Sequence, residues 1–152
     1  MPEKTIMIRH ILVVCVGNIC RSPMAGALLK RELRGLDGIK VVSAGLGALV
    51  GYPASEFSQD LMSGIGEDIS MHRARQIHPD MVHDADLVLV MEAGHKRAID
   101  DADPTARGKV YRLGEWQDKD IVDPYRKPMT AYEAALVDIE NGVSSWVERI
   151  KA

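Results

Sequence analysis

The chain has 152 residues, a net charge of −3, a pI near 5.9 and two cysteines. That length suits a single domain, expected over residues 1–152, which can bury about 68–70% of its unfolded surface. The dispersed Lys and Arg residues give no basic footprint for nucleic acid, and two cysteines make no disulfide framework and fit a reducing compartment.

The first apolar stretch, Ile6 to Val16, is broken by Arg9 and His10 and lacks a small-residue cleavage pattern, so no secretory signal is expected. No segment approaches membrane-spanning length, and the expected location is the cytoplasm. Within this stretch Ile11 to Val14 are aliphatic without interruption, as in a strand buried on both faces of a parallel sheet. Cys15 then stands at the strand's C-terminal end. Downstream, Ser22 is a preferred N-cap, Pro23 suits a first helical position, and Met24, Leu28 and Leu29 recur at helical spacing. The helix is expected to end near Leu33, with Gly35 as its stop.

Between strand and helix lie Val16, Gly17, Asn18, Ile19 and Cys20, and with Ser22 they form a candidate phosphate-binding loop. Unpaired N–H groups and the positive helix end together favour a phosphate dianion there. Gly17 allows close backbone approach, and Asn18 tolerates the left-handed backbone that an inward-curling loop needs. A thiol in such a field, with Arg21 nearby, is favoured as the nucleophilic thiolate. The planar fork of Arg21 suits two phosphate oxygens. Singly, Cys15 reads as an inert core cysteine and Arg21 as a solvated helix-start residue. The combination of strand, Cys-x5-Arg-Ser, loop glycine and proline-started helix is far more restrictive.

Next, Ile39 to Gly45 reads as a second strand, which places the Cys15 and Ser43 loops on one sheet edge. Leu46 to Pro53 is glycine-punctuated and is expected to be a mobile loop beside the cleft, with Leu49 and Tyr52 as its large side chains. A helix is expected over Ala54 to Ser63, closed around Gly64-Ile65-Gly66. Asp86 to Met91 is a third buried strand, followed by a helix from Glu92 to Ile99 and a short strand from Lys109 to Leu113. Glu92, at a strand's C-terminal end, is open to a part in the site, but a helix-start carboxylate is the favoured reading. After the acidic loop Asp118-Lys119-Asp120 come Asp123-Pro124-Tyr125 and a final helix from Thr130 to Ile150. Strands alternating with helices give an α/β fold, three layers (α/β/α) around a four-stranded parallel sheet. His10, His78, His83 and His95 show no metal-ligand spacing, and no metal or cofactor is expected.

The Cys15 to Pro23 stretch resembles the active-site loop of the low-molecular-weight protein tyrosine phosphatases. Ser70 to Gln76 is similar to that family's His-x-Ala-Arg-Gln element, and Asp123-Pro124-Tyr125 to its acid loop. The resemblance implies Cys15 as nucleophile, Arg21 as phosphate binder and Asp123 as general acid for a departing phenolate, whose parent phenol has a pKa of about 10. It further implies that Ser43 supports the loop and helps stabilise the thiolate, and that His72 fixes Asn18. Tyr125 corresponds to an aromatic wall, while Leu49 or Tyr52 stands near a position where similar enzymes often carry an aromatic. Tyr125-Arg126-Lys127 resembles bacterial members associated with capsule and exopolysaccharide clusters. The partner so implied is a phosphotyrosine protein such as a bacterial tyrosine autokinase. Rival readings are a protein arginine phosphatase, which has threonine where this chain has Ile19; an arsenate reductase, which needs further cysteines; and a non-catalytic phosphopeptide-binding module.

Overall fold

The computed structural model describes residues 7–152, so Ile6, where the first apolar stretch begins, lies outside the described residues. Four strands, β1 (His10–Cys15), β2 (Lys40–Gly45), β3 (Leu87–Val90) and β4 (Val110–Arg112), pair in parallel in the order β2-β1-β3-β4. The period-two geometry of a strand sends alternate side chains to opposite faces. Ile11, Val13, Cys15 and Leu89 therefore enter one core with α1 (Arg21–Glu32) and α5 (Met129–Lys151). Leu12, Val14, Val88 and Val90 enter another, with α3 (Pro79–Asp84) and α4 (Ala93–Ala102). This is the expected three-layer arrangement. It explains the uninterrupted apolar run of β1, which is covered on both sides. α2 (Glu56–Gly64) starts from Ser55, whose Oγ accepts from Ser58 N. Among the described residues no helix is long and apolar enough to cross a membrane.

Two expectations are corrected and one element is new. α1 starts at Arg21, so Ser22 is its second residue and not its cap. The Ser22 hydroxyl turns instead toward Cys15 and Asn18. Pro23 still falls among the first four residues, whose N–H groups have no partner within the helix. The short α3 was not anticipated. At six residues it is too brief for an apolar period, although Pro79 at its start and His78 Nδ1 accepting from Asp80 N mark its beginning. The segment 46–53 is held rather than loose, because Leu46, Gly47 and Leu49 donate their N–H groups to Cys15, Val16 and Gly17 carbonyls, and Gly51 donates to Ala74 O.

In this parallel sheet Cys15 lies beside Gly45, so the loops after β1 and β2 meet at one edge. Gly45 is required there. A Cβ on it would sit 2.4 Å from Val16 O and 3.1 Å from the Asn18 Cβ.

Candidate active site

The loop after β1 is turned inside out. Every carbonyl from Cys15 to Cys20 points away from the centre and is taken by a neighbour. Leu46 N, Gly47 N and Leu49 N hold the carbonyls of Cys15, Val16 and Gly17, and Ser55 N holds that of Ile19. His72 Nε2 lies 2.7 Å from Asn18 O, and Ser58 Oγ donates to Cys20 O at 3.3 Å. Among the described residues, no N–H from Gly17 to Arg21 donates to a backbone carbonyl outside the helix ladder. With carbonyls outward and N–H groups unpartnered at a helix start, the loop is a concave anion cradle.

Asn18 sets this geometry. Its φ is +59°, the left-handed region expected from the sequence. Fully buried, it donates through Nδ2 to Ser22 Oγ at 2.7 Å and Ser43 Oγ at 3.0 Å, while its Oδ1 accepts Arg75 N at 2.9 Å. Because a carbonyl only accepts, His72 must carry its proton on Nε2, which makes the ring a donor to Asn18 O. Burial holds His72 below its ordinary pKa, against that hydrogen bond, with Arg75, Lys30 and Arg73 adding to the lowering. The positive φ falls on Asn18 and not on Gly17, whose absent Cβ would meet only Ile19 Cγ1 at 3.7 Å. Between the loops after β1 and β2 the close backbone approach is at Gly45.

Cys15 is 2% exposed, and its Sγ lies 2.9 Å from Ser22 Oγ. One lone pair of that hydroxyl already accepts from Asn18, which leaves its proton free to point at sulfur and stabilise a thiolate. Ser43 bonds to Asn18 and supports the loop; the hydroxyl on sulfur is that of Ser22.

Arg21 is 1% exposed. Its Nη1 donates to Glu92 Oε2 at 2.6 Å and to Ile121 O at 2.7 Å, and its Nη2 lies 3.6 Å from Asp123 Oδ2. Its Nε is buried with no partner among the described residues. A buried, unsatisfied guanidinium donor costs about as much as a lost hydrogen bond, a debt that a phosphate oxygen would relieve. Glu92 is a correction, since its carboxylate goes to Arg21. The carboxylate that caps α4 is Asp120, whose Oδ1 accepts Ala93 N at 3.0 Å. The place of Glu92 just past the C-terminal end of β3, on the sheet edge that carries Cys15, was the available signal.

A cavity of about 130 Å³ opens over the sulfur, walled by Ile19, Leu49, Asp123 and Tyr125. Asp123 Oδ1 accepts Tyr125 N at 3.1 Å, which leaves Oδ2 facing Arg21. Of the two candidate cleft side chains, Leu49 lines the cavity and Tyr52, 59% exposed, does not. Cys20 also borders the cavity, but its Sγ lies 3.4 Å from Tyr132 Oη and near Ser55 Oγ. Burial pushes the Cys20 thiol up, and Tyr132 is pushed up to about 12, chiefly by burial and by Cys20. Tyr132 went unnoticed in sequence because it lies on α5, 112 residues away from Cys20. A larger cavity, about 440 Å³, lies behind the loop between α1 and residues 67–72, and Cys15 does not open into it.

A thiol at the base of such a cradle, with a carboxyl above it, is the arrangement a cysteine-dependent phosphatase requires. A family model described as low molecular weight phosphotyrosine protein phosphatase matches residues 10–152, and the chain belongs to that family. The "Probable low molecular weight protein-tyrosine-phosphatase EpsP" of Ralstonia nicotianae is 53% identical over 146 residues, 96% of this chain and 99% of that protein. The crystal structure of the Erwinia amylovora tyrosine phosphatase AmsI has a TM-score of 0.89 at 40% identity, covering 96% of this chain and 95% of that one. The YwlE arginine phosphatase from Geobacillus stearothermophilus has a TM-score of 0.87 at 35% identity, covering 94% and 93% of the two chains. The protein is thus a protein-tyrosine phosphatase by family, on a fold that an arginine phosphatase shares.

Proposed function

We propose that Cys15, Arg21 and Asp123 hydrolyse phosphotyrosine in proteins through a cysteinyl-phosphate intermediate. The observation that carries this reading is the inverted loop around Cys15, with its carbonyls engaged outside and its N–H groups unpartnered. The Cys15 thiolate attacks phosphorus in line with the phenolic oxygen. As the P–O bond breaks, the Asp123 carboxyl gives its proton to that oxygen and tyrosine leaves. Asp123 then takes a proton from the water that attacks the cysteinyl phosphate, and inorganic phosphate departs as the thiolate is restored. Arg21 Nε and Nη2, with the loop N–H groups, bind the equatorial oxygens throughout.

Ile19 and Tyr125 give the mouth apolar walls suited to a phenyl ring, and Ile19 has no hydroxyl to offer a guanidinium. The expected kcat/KM order on peptides is phosphotyrosine above phosphoarginine and phosphoserine, with Ile19→Thr moving the ratio toward phosphoarginine. A wild-type phosphoarginine rate at or above the phosphotyrosine rate overturns the assignment. The proposed setting is the bacterial cytoplasm, with a tyrosine autokinase of polysaccharide production, or its substrates, as the phosphoprotein. Its support is the likeness of Tyr125-Arg126-Lys127 to capsule-associated bacterial members. Trapping on Cys15→Ser in lysate of the source organism should recover a phosphotyrosine kinase; recovery of unrelated phosphoproteins alone refutes that part.

A further inference from the structure

The start of α4 holds a second ionisable group that the reaction above does not use. Glu92 has extended backbone, and the chain turns directly into the helix, which brings His95 over the same carboxylate one turn later. Glu92 Oε2 receives Arg21 Nη1 at 2.6 Å and lies 3.6 Å from His95 Nε2. His95 is 8% exposed, and its Nδ1 is buried without a hydrogen-bond partner among the described residues. Because Asp120 caps α4, Glu92 has no capping duty, and the pair serves no evident purpose in starting the helix.

Several charges face the imidazole. Arg21 approaches from α1, Glu92 from the head of its own helix, and Asp120 and Asp123 from the loop before α5. Arg112 of β4 stands behind Asp120, 3.2 Å from its Oδ1. Burial, then Arg21, hold His95 below its ordinary pKa, and together they outweigh the three carboxylates. The ring is therefore neutral near pH 7. In a neutral ring only one nitrogen bears hydrogen, and a lone pair on Nε2 would oppose the lone pairs of Glu92. The proton accordingly sits on Nε2, facing the carboxylate, and the buried Nδ1 carries the lone pair.

We propose that His95 is a positioning residue for phosphoryl transfer: its neutral ring steadies Glu92 on Arg21, and proton uptake at Nδ1 makes Glu92 the counter-ion of His95 and loosens its hold on Arg21. The proposal rests on the phosphatase reading of the Cys15 loop. Two consequences of opposite sign follow. A less constrained guanidinium holds the transition state less well, so kcat falls. The added positive charge beside the cradle makes the site more cationic, so an anion binds more tightly. A residue that merely packs the base of α4 produces neither pattern.

The test compares wild type, His95→Gln and His95→Ala from about pH 7.5 down to about pH 5, the span over which a histidine titrates. The readouts are kcat on a phosphotyrosine peptide and the inhibition constant of sulfate, which stays a dianion across that span. In wild type the sulfate constant should fall roughly fivefold toward acid, an effect of one added charge at partly screened distance, while kcat falls by a similar factor. His95→Gln keeps a donor toward Glu92 but cannot charge. It should retain most of the kcat near neutrality and lose the His95-dependent part of both trends, whereas His95→Ala should lose kcat near neutrality without a change in sulfate binding. Superimposable wild-type and His95→Gln profiles in both readouts overturn the proposal, and that comparison decides alone if His95→Ala does not fold. Titration of the His95 ring by NMR in wild type and Glu92→Gln supplies an independent arm. Loss of the carboxylate should lower the ring's pKa further, and an unchanged value refutes the pairing. A wild type without phosphotyrosine turnover refutes the phosphatase reading, while the sulfate and NMR arms still judge the His95–Glu92 pairing.

Discussion

Replacing Asn18 tests the idea that one buried amide keeps the loop inside out. The side chain makes three hydrogen bonds, two from Nδ2 and one at Oδ1, and its backbone has a φ of +59°. At about 1 kcal/mol net per hydrogen bond, Asn18→Ala forfeits about 3 kcal/mol. Alanine tolerates the left-handed region less well than asparagine, which adds about 1 kcal/mol. The sum, about 4 kcal/mol, is a large fraction of the 5–15 kcal/mol typical of a domain. Asn18→Gly loses the same hydrogen bonds but tolerates the positive φ, so it should unfold at a higher denaturant midpoint than Asn18→Ala. Urea titrations of the three proteins, with kcat/KM on a phosphotyrosine peptide, separate the effects. Both variants should lose activity well beyond the fraction unfolded, because Ser22 and Ser43 lose the donor that orients them. An Asn18→Ala loss under about 1 kcal/mol, or a glycine variant no more stable than alanine, would refute the account.

Other expectations are as direct. Asp123→Asn should slow phenyl phosphate by about 100-fold or more, and p-nitrophenyl phosphate much less because its leaving group needs less protonation; equal losses would remove Asp123 as the acid. After peroxide, a Cys15 sulfenic acid should condense with the Cys20 thiol, releasing water and leaving a disulfide that added thiol reopens. Wild type should then recover activity and Cys20→Ala should not, with peptide mapping to locate the bond; equal recovery excludes a protective role. For His72 the folded pKa is lowered, so folding favours the neutral ring. Its contribution is fully present above the unfolded value, about 6.5, and is lost as pH falls through the folded one. The Tm advantage of wild type over His72→Gln should therefore shrink toward acid, and parallel Tm curves would count against it.

Much of the sheet and the first turn of the site was legible because its signals are local. The apolar run of β1 shows burial on both faces, and Cys-x5-Arg follows it within one loop. Ser22 shows where local rules mislead. Its residue type says cap, yet Cys20 holds the cap position and α1 begins at Arg21, two residues before the start that a Ser22 cap implies, and the hydroxyl serves sulfur and Asn18 instead. Glu92 was misread for the same reason, since a carboxylate at a helix start has a sufficient local explanation. Only the sheet order, which sets β3 beside β1, shows that this carboxylate reaches Arg21. Tyr132 carries no local mark at all. Its meeting with Cys20 depends on α5 packing beside α1 in the same layer.

The mobile loop expected over Leu46 to Pro53 failed for a related reason, and the failure explains how the cradle is kept open. Glycines at 45, 47 and 51 suggest looseness when read along the chain. In the fold it is the missing side chain of Gly45 that lets two backbones lie together, while a Cβ at Gly47 or Gly51 would meet nothing within 4 Å, and the N–H groups of residues 46, 47 and 49 take three outward carbonyls of the loop after β1. A loop whose carbonyls were left free would turn some of them toward its own N–H groups and lose its affinity for anions. The second loop is thus part of the cradle through its backbone, besides the Leu49 side chain that walls the cavity. A Gly45→Ala substitution, which drives a Cβ against Val16 O, should weaken sulfate binding even though residue 45 touches no substrate.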